Sequence, residues 1–171
     1  VRPQQGCRLL GPVALHPRLH QPGRMRPTHA EMPDGILYRR RQRDLPWRRT
    51  RDPWAVLVSE LMLQQTQVAR VLPKYEVFLE QWPTAQACAA APLGDVVTAW
   101  AGLGYNRRAV NLHRCAQAVV ADHGGRLPDD LDALLALPGI GPYTARAVLA
   151  FAYESDEVGV LDTNAARVLA R

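Results

Sequence analysis

From Asp34 onward, apolar residues recur every three or four positions and short glycine- or proline-containing breaks interrupt them. No segment alternates apolar and polar residues with the period of two that a half-buried strand requires, so the fold is expected to be all-α. Asp52 followed by Pro53 is an N-cap and first-turn signature, and Trp54, Leu57, Val58 and Leu61 follow at helical spacing. This predicts a helix over about 53 to 65. Thr66 is expected to cap the next helix, which carries Val68, Val71, Leu72, Tyr75, Phe78 and Leu79 and is bent by Pro73. Two short helices are expected near 84 to 91 and 93 to 101. After the Gly102-Leu103-Gly104 turn, Asn106 is expected to cap a longer helix that stops at Gly124-Gly125. Residues 130 to 136 form another, Pro138 to Pro142 break it, and Tyr143 to Tyr153 resume it. After an acidic loop, a last helix begins at Thr163 and runs to Arg171.

The chain has 171 residues, enough for one core but too few for two full-sized domains. Pro3, Pro12, Pro17, Pro22, Pro27 and Pro33, set among Arg, His and Gln without any period, mark residues 1 to 33 as a disordered arm. The arm reads either as a basic tail touching DNA or as an extension ahead of a start at Met25 or Met32. Residues 34 to 171 then make the folded domain.

The net charge of +5 is unevenly spread. Residues 1 to 43 hold nine arginines against Glu31 and Asp34, whereas residues 44 to 171 hold 12 basic and 14 acidic groups and net −2. If the folded part binds a polyanion, it must use locally placed groups and backbone amides.

Cys7, Cys88 and Cys115 form no CxxC pair, which excludes a secreted disulfide scaffold and fits a reducing cytoplasm. No apolar run suits a signal peptide or a membrane span. The histidines at 16, 20, 29, 113 and 123 do not suggest a zinc site, so no metal site is expected.

Three segments carry chemistry. The first is Leu137-Pro138-Gly139-Ile140-Gly141-Pro142-Tyr143-Thr144-Ala145, two helices joined by a tight glycine hairpin. Such a turn lets a backbone approach a ligand closely, and the amides opening the second helix can hold an anion such as a DNA phosphate. The alternative is a plain helix-helix turn. The second is Ser59 to Gln67, where Glu60 has Val56, Leu57 and Leu63 at helical neighbour positions. An apolar setting raises a carboxyl pKa toward that of a general acid working near neutral pH. The alternative is a Glu that reaches solvent or pairs with an Arg. The third is Val160 to Asn164, in which Asp162 is either a simple N-cap or a carboxylate kept ionised by helix amides to stabilise developing positive charge. One carboxyl kept protonated and one kept ionised is the division of labour used in glycosidic cleavage.

Leu45-Pro46-Trp47-Arg48, Ser59-Glu60 through Thr66-Gln67, Gly102-Leu103-Gly104-Tyr105, Leu137 to Gly141 and Leu161-Asp162-Thr163-Asn164 occur in the order found in adenine DNA glycosylases of the MutY type. The chain resembles that family from about Tyr38 to Arg171, with the MLQQTQ segment its most diagnostic part. The resemblance implies a helix-hairpin-helix DNA glycosylase with a six-helix core. It also implies removal of adenine mispaired with 8-oxoguanine or guanine in double-stranded DNA, by hydrolysis of the N-glycosidic bond after base flipping. By position, Glu60 resembles the acid that protonates the adenine ring and then activates water. Asp162 resembles the carboxylate that stabilises the oxocarbenium-like sugar, with Asn164 and Tyr143 in support. Trp47, Arg48 and Leu63 resemble residues lining the adenine pocket. Gln65 and Tyr105 resemble side chains wedged into the base stack, against the alternatives of a surface Gln and a core Tyr. Gly139, Ile140, Gly141 and Tyr143 would grip the DNA backbone.

The endonuclease III type shares the fold but forms a Schiff base with a lysine, which would fall at Tyr143; a phenol cannot do this. The family continues into a four-cysteine segment for a [4Fe-4S] cluster and a Nudix-like domain. Neither follows here, so the chain is expected to be truncated, and its three cysteines lack the spacing to bind the cluster. In the last helix, Ala165-Ala166 replaces the more usual Val-Arg or Val-Lys and removes one potential phosphate contact. A non-catalytic DNA-binding remnant is the competing reading. A monomer in the bacterial cytoplasm, associated with the nucleoid and with no membrane partner, is expected.

Overall fold

The structure, a computed structural model, describes residues 44 to 156, 158 to 160, 167, 168 and 170. The expected arm, Asp162 and Asn164 lie outside the described residues. A 3-10 turn, Pro46–Arg48, precedes α1 (Pro53–Leu63), α2 (Val68–Gln81), α3 (Ala85–Ala90), α4 (Leu93–Ala99), α5 (Arg107–His123), α6 (Leu131–Ala136) and α7 (Pro142–Ala152). Among the described residues there is no strand.

Local chemistry sets most boundaries. Asp52 accepts a hydrogen bond from the Trp54 amide and Pro53 opens α1. Thr84 and Asp130 cap α3 and α6 by accepting from the Ala87 and Ala133 amides. Gly124, left-handed at φ 59°, closes α5, and the Gly125 amide returns to Val119 O at 2.9 Å.

One expected cap is corrected, and a second holds in position only. Gln67, not Thr66, is the N-cap of α2, and it makes no side-chain cap bond. The Thr66 hydroxyl lies instead 3.2 Å from both Gln64 O and Leu103 O, drawn into a contact between loops. Asn106 occupies the N-cap position of α5, but its helical backbone carries no side-chain cap bond. Pro73 stands within α2, which runs on to Gln81.

The central element is α1, eight of whose 11 residues are buried. It packs against α2, α5, α7 and the 3-10 turn, which is why its sequence is apolar all round rather than along one stripe. Three other interfaces pair α5 with α3, α5 with α4, and α6 with α7. Aromatic edges fill the core: Phe78 meets Trp82 at 4.8 Å and Trp100 at 6.0 Å between ring centroids. Buried polar tips find backbone partners, Trp54 Nε1 donating to Trp82 O at 3.0 Å and the Tyr75 hydroxyl to Ala55 O at 3.3 Å. No helix among the described residues is long and apolar enough to cross a membrane.

Candidate active site

In the apolar sequence of α1 one side chain is charged, Glu60, near the C-terminal end. Its position follows from the helix: the turn that buries Val56 and Leu57 also carries Glu60 against the neighbouring elements. Burial pushes the carboxyl up from 4.5 to about 7, and a side-chain hydrogen bond from Tyr143 opposes part of that rise. Desolvation, not an arginine, therefore sets the titration. The group is part-protonated at neutral pH, the state a proton donor needs.

Tyr143 arrives from the other side, on the first turn of α7, and is 40% exposed. The hairpin before it is anchored by buried Leu137 and Ile140. Gly139 has φ +79°, and a Cβ there would lie 2.6 Å from Asn111 Cβ, so both backbone and packing demand glycine. A Cβ on Gly141 would meet nothing within 4 Å. The fold itself therefore leaves open space above Gly141. Gly141 is the N-cap of α7, Pro142 opens the helix, and the Ala145 amide bonds back to Gly141 O at 2.9 Å. A first helical turn presents its amides outward, a suitable setting for an anion. The Gln64 amide donates to the Thr144 hydroxyl at 3.3 Å, joining the end of α1 to this turn.

Gln65 and Tyr105 lie on two loops that tertiary structure brings together. Both are exposed, Tyr105 at 65%, which excludes the core-Tyr alternative. Both have a left-handed backbone, with φ of 54° and 49°, uncommon outside glycine. Between the loops stands Arg108. Its Nη1 lies 2.8, 3.0 and 2.6 Å from the carbonyls of Leu61, Met62 and Gln64. Its Nη2 lies 3.0 Å from Thr66 Oγ1, 3.2 Å from Leu103 O and 3.0 Å from Gly104 O. The guanidinium carbon is 5.6 Å from each of the Trp100 and Tyr105 ring centroids.

Sequence reasoning missed Arg108. One signal was available: a cation in the first turn of a helix opposes the helix dipole, so Arg107-Arg108 at the start of α5 needs another reason. The carbonyls closing α1 supply it for Arg108. Asn111, which backs Gly139, was also missed and has no such signal.

The remaining candidates stand apart in character. Trp47 is only 9% exposed and meets Tyr75 edge-on at 5.2 Å, so most of its indole is committed to the core. Arg48 is exposed at the end of the 3-10 turn, and Leu63 is half-buried at the end of α1. Cys88 and Cys115 are buried, and burial pushes both thiols up to about 12. A cluster is bound by thiolates, so these two cysteines do not fit an iron–sulfur group. No cluster of three or more His, Cys, Asp or Glu side chains suited to a metal occurs among the described residues.

A family model, HhH-GPD superfamily base excision DNA repair protein, matches residues 58–171. The chain belongs to that superfamily. Within it, the chain is 53% identical over 135 residues to an adenine DNA glycosylase of Mycobacterium tuberculosis, covering 78% of this chain and 44% of the relative. It is 46% identical over 143 residues to the human adenine DNA glycosylase, covering 78% of this chain and 26% of that protein. The chain thus spans less than half the length of these relatives. Among solved structures, a thermostable thymine-DNA glycosylase matches with a TM-score of 0.74 at 33% identity, over 80% of this chain and 63% of that one. An endonuclease III trapped as a covalent intermediate with DNA matches with a TM-score of 0.68 at 25% identity, over 78% and 61%.

Proposed function

We propose that this chain is a monofunctional DNA glycosylase that excises adenine mispaired with 8-oxoguanine or guanine. The observation that carries the reading is Glu60, a carboxyl on the innermost helix held near a pKa of about 7 beside the helix that follows the glycine hairpin. The hairpin amides grip a phosphate of double-stranded DNA, and Gln65 and Tyr105 enter the space left by the flipped adenine. Glu60 donates its proton to a ring nitrogen of the base. The N-glycosidic bond breaks, its electron pair leaves with the now neutral adenine, and positive charge develops on the sugar. By the resemblance, Asp162 stabilises that charge with Asn164 in support, and water adds to the sugar carbon as it gives its proton back to Glu60. Tyr143 keeps a hydroxyl on Glu60 and supplies no amine, so strand cleavage through a Schiff base has no nucleophile at this position.

The test is a duplex with adenine opposite 8-oxoguanine, incubated with the chain and treated with alkali. Alkali-dependent breaks at the adenine are expected, and Glu60→Gln should reduce them by about a hundredfold to ten-thousandfold while leaving binding intact. Binding by the parent chain without alkali-labile sites would instead favour a non-catalytic DNA-binding remnant. Breaks without alkali would favour the endonuclease III type of chemistry.

A further inference from the structure

Two exposed residues with left-handed backbones, on loops 37 residues or more apart in sequence, share one guanidinium. Each end of it holds the peptide group that precedes one of them. Nη1 is 2.6 Å from Gln64 O, in the peptide joining Gln64 to Gln65, and Nη2 is 3.0 Å from Gly104 O, in the peptide joining Gly104 to Tyr105. A left-handed conformation costs a non-glycine residue about 1 kcal/mol or more unless its surroundings impose it. Here the imposing contact is common to both residues. Thr66 strengthens the coupling, since its hydroxyl accepts from Nη2 and also lies within reach of carbonyls on both loops. Trp100, fully buried beneath the guanidinium, gives the assembly a rigid floor.

We infer that Arg108 is a positioning residue that locks the Gln65 and Tyr105 loops into a single unit, so that both side chains are presented to the DNA together. The inference rests on the glycosylase reading for what the two side chains do, but the coupling is a property of the free protein. It also explains the residue type. A planar fork with donors at two ends can bridge two peptide groups, whereas a lysine ammonium is a single point. Both terminal nitrogens of Arg108 are committed to the two loops, so its effect on chemistry passes through their geometry.

Amide hydrogen exchange on the free chain tests the coupling. In Arg108→Met, amides of residues 64 to 67 and 102 to 106 should exchange faster together, by about tenfold or more, with α3 and α7 unchanged. Acceleration in only one loop, or in neither, overturns the inference. The functional arm uses duplexes with 8-oxoguanine opposite 2-aminopurine, whose fluorescence rises on unstacking, or opposite adenine for single-turnover excision. Arg108→Met should lose most of the fluorescence rise and about a hundredfold in excision rate, with affinity within about threefold of the parent, because misplacement acts on the committed geometry rather than on phosphate contacts. Arg108→Lys, which keeps the charge without the fork, should fall between and serves as the test if Arg108→Met does not fold. A variant that flips and excises like the parent would sink the idea. If the parent itself neither flips nor excises, the glycosylase reading fails, and hydrogen exchange alone decides the coupling.

Discussion

Glu60 is the residue on which pH should act. Its carboxyl titrates at about 7, so on the proposed function excision should fall as pH rises through that value and the proton donor is lost. Tyr143 contributes a hydrogen bond that lowers this pKa, so Tyr143→Phe should move the alkaline fall to higher pH. A single-turnover rate profile between pH 5 and about 9 checks both. Stability carries the same signature. A carboxyl whose folded pKa is raised contributes stability that is full below its unfolded value of 4.5 and lost as pH rises to about 7. Glu60→Gln should therefore match the parent in unfolding free energy below about pH 4 and exceed it above 7, by about 3 kcal/mol at most. A constant difference across that range would mean that burial does not govern Glu60. The apolar neighbours of Glu60 were readable from helical spacing. The Tyr143 hydrogen bond was not, because it joins residues on two different helices.

At the scale of elements, the hairpin separates two kinds of glycine. Gly139 is required by its own φ and by Asn111, so Gly139→Ala should destabilise the fold by about 1 to 3 kcal/mol. Gly141 has room for a methyl group, so Gly141→Ala should leave thermal stability within about 0.5 kcal/mol of the parent. On the proposed function, the same methyl would stand where a phosphate approaches, and DNA affinity should fall about tenfold. Melting curves and a DNA titration on the two variants should thus show opposite patterns. Both glycines were visible in the sequence as one motif. The φ of +79° at Gly139 and the packing of α5 beneath the turn distinguish them, the latter through a residue 28 positions away.

Across the whole molecule, burial rather than local pattern decides the chemistry of the thiols. Cys88 on α3 and Cys115 on α5 sit at the interface of two closely packed helices, and burial holds both near 12. Iodoacetamide at about pH 8 should modify neither in the native chain, because the thiolate is the nucleophile, and both should react once the chain is unfolded. Rapid native labelling of either would place the α3–α5 interface in an open state. Charge belongs to the same scale: residues 44 to 171 net −2, so on the proposed function DNA affinity supplied by that part should depend on salt through only a few phosphate contacts. A slope of log affinity against log salt steeper than about −5 for a chain lacking residues 1 to 31 would contradict a grip based mainly on backbone amides.

What the sequence determined by itself is what depends on neighbours along the chain. Helical spacing, Asp52-Pro53, Thr84, Asp130 and Gly124-Gly125 set the helices, and the ordered motifs pointed to the superfamily. Thr66 does not cap α2, because nearby groups in sequence suggested one partner while the loops around Arg108 supplied others. Tertiary structure alone decided that Glu60 is desolvated beside Tyr143, that Asn111 backs Gly139, and that one arginine holds the loops of Gln65 and Tyr105. Each of these joins elements distant in the chain, and their energies, desolvation and hydrogen bonding to backbone carbonyls, exist only once those elements have packed.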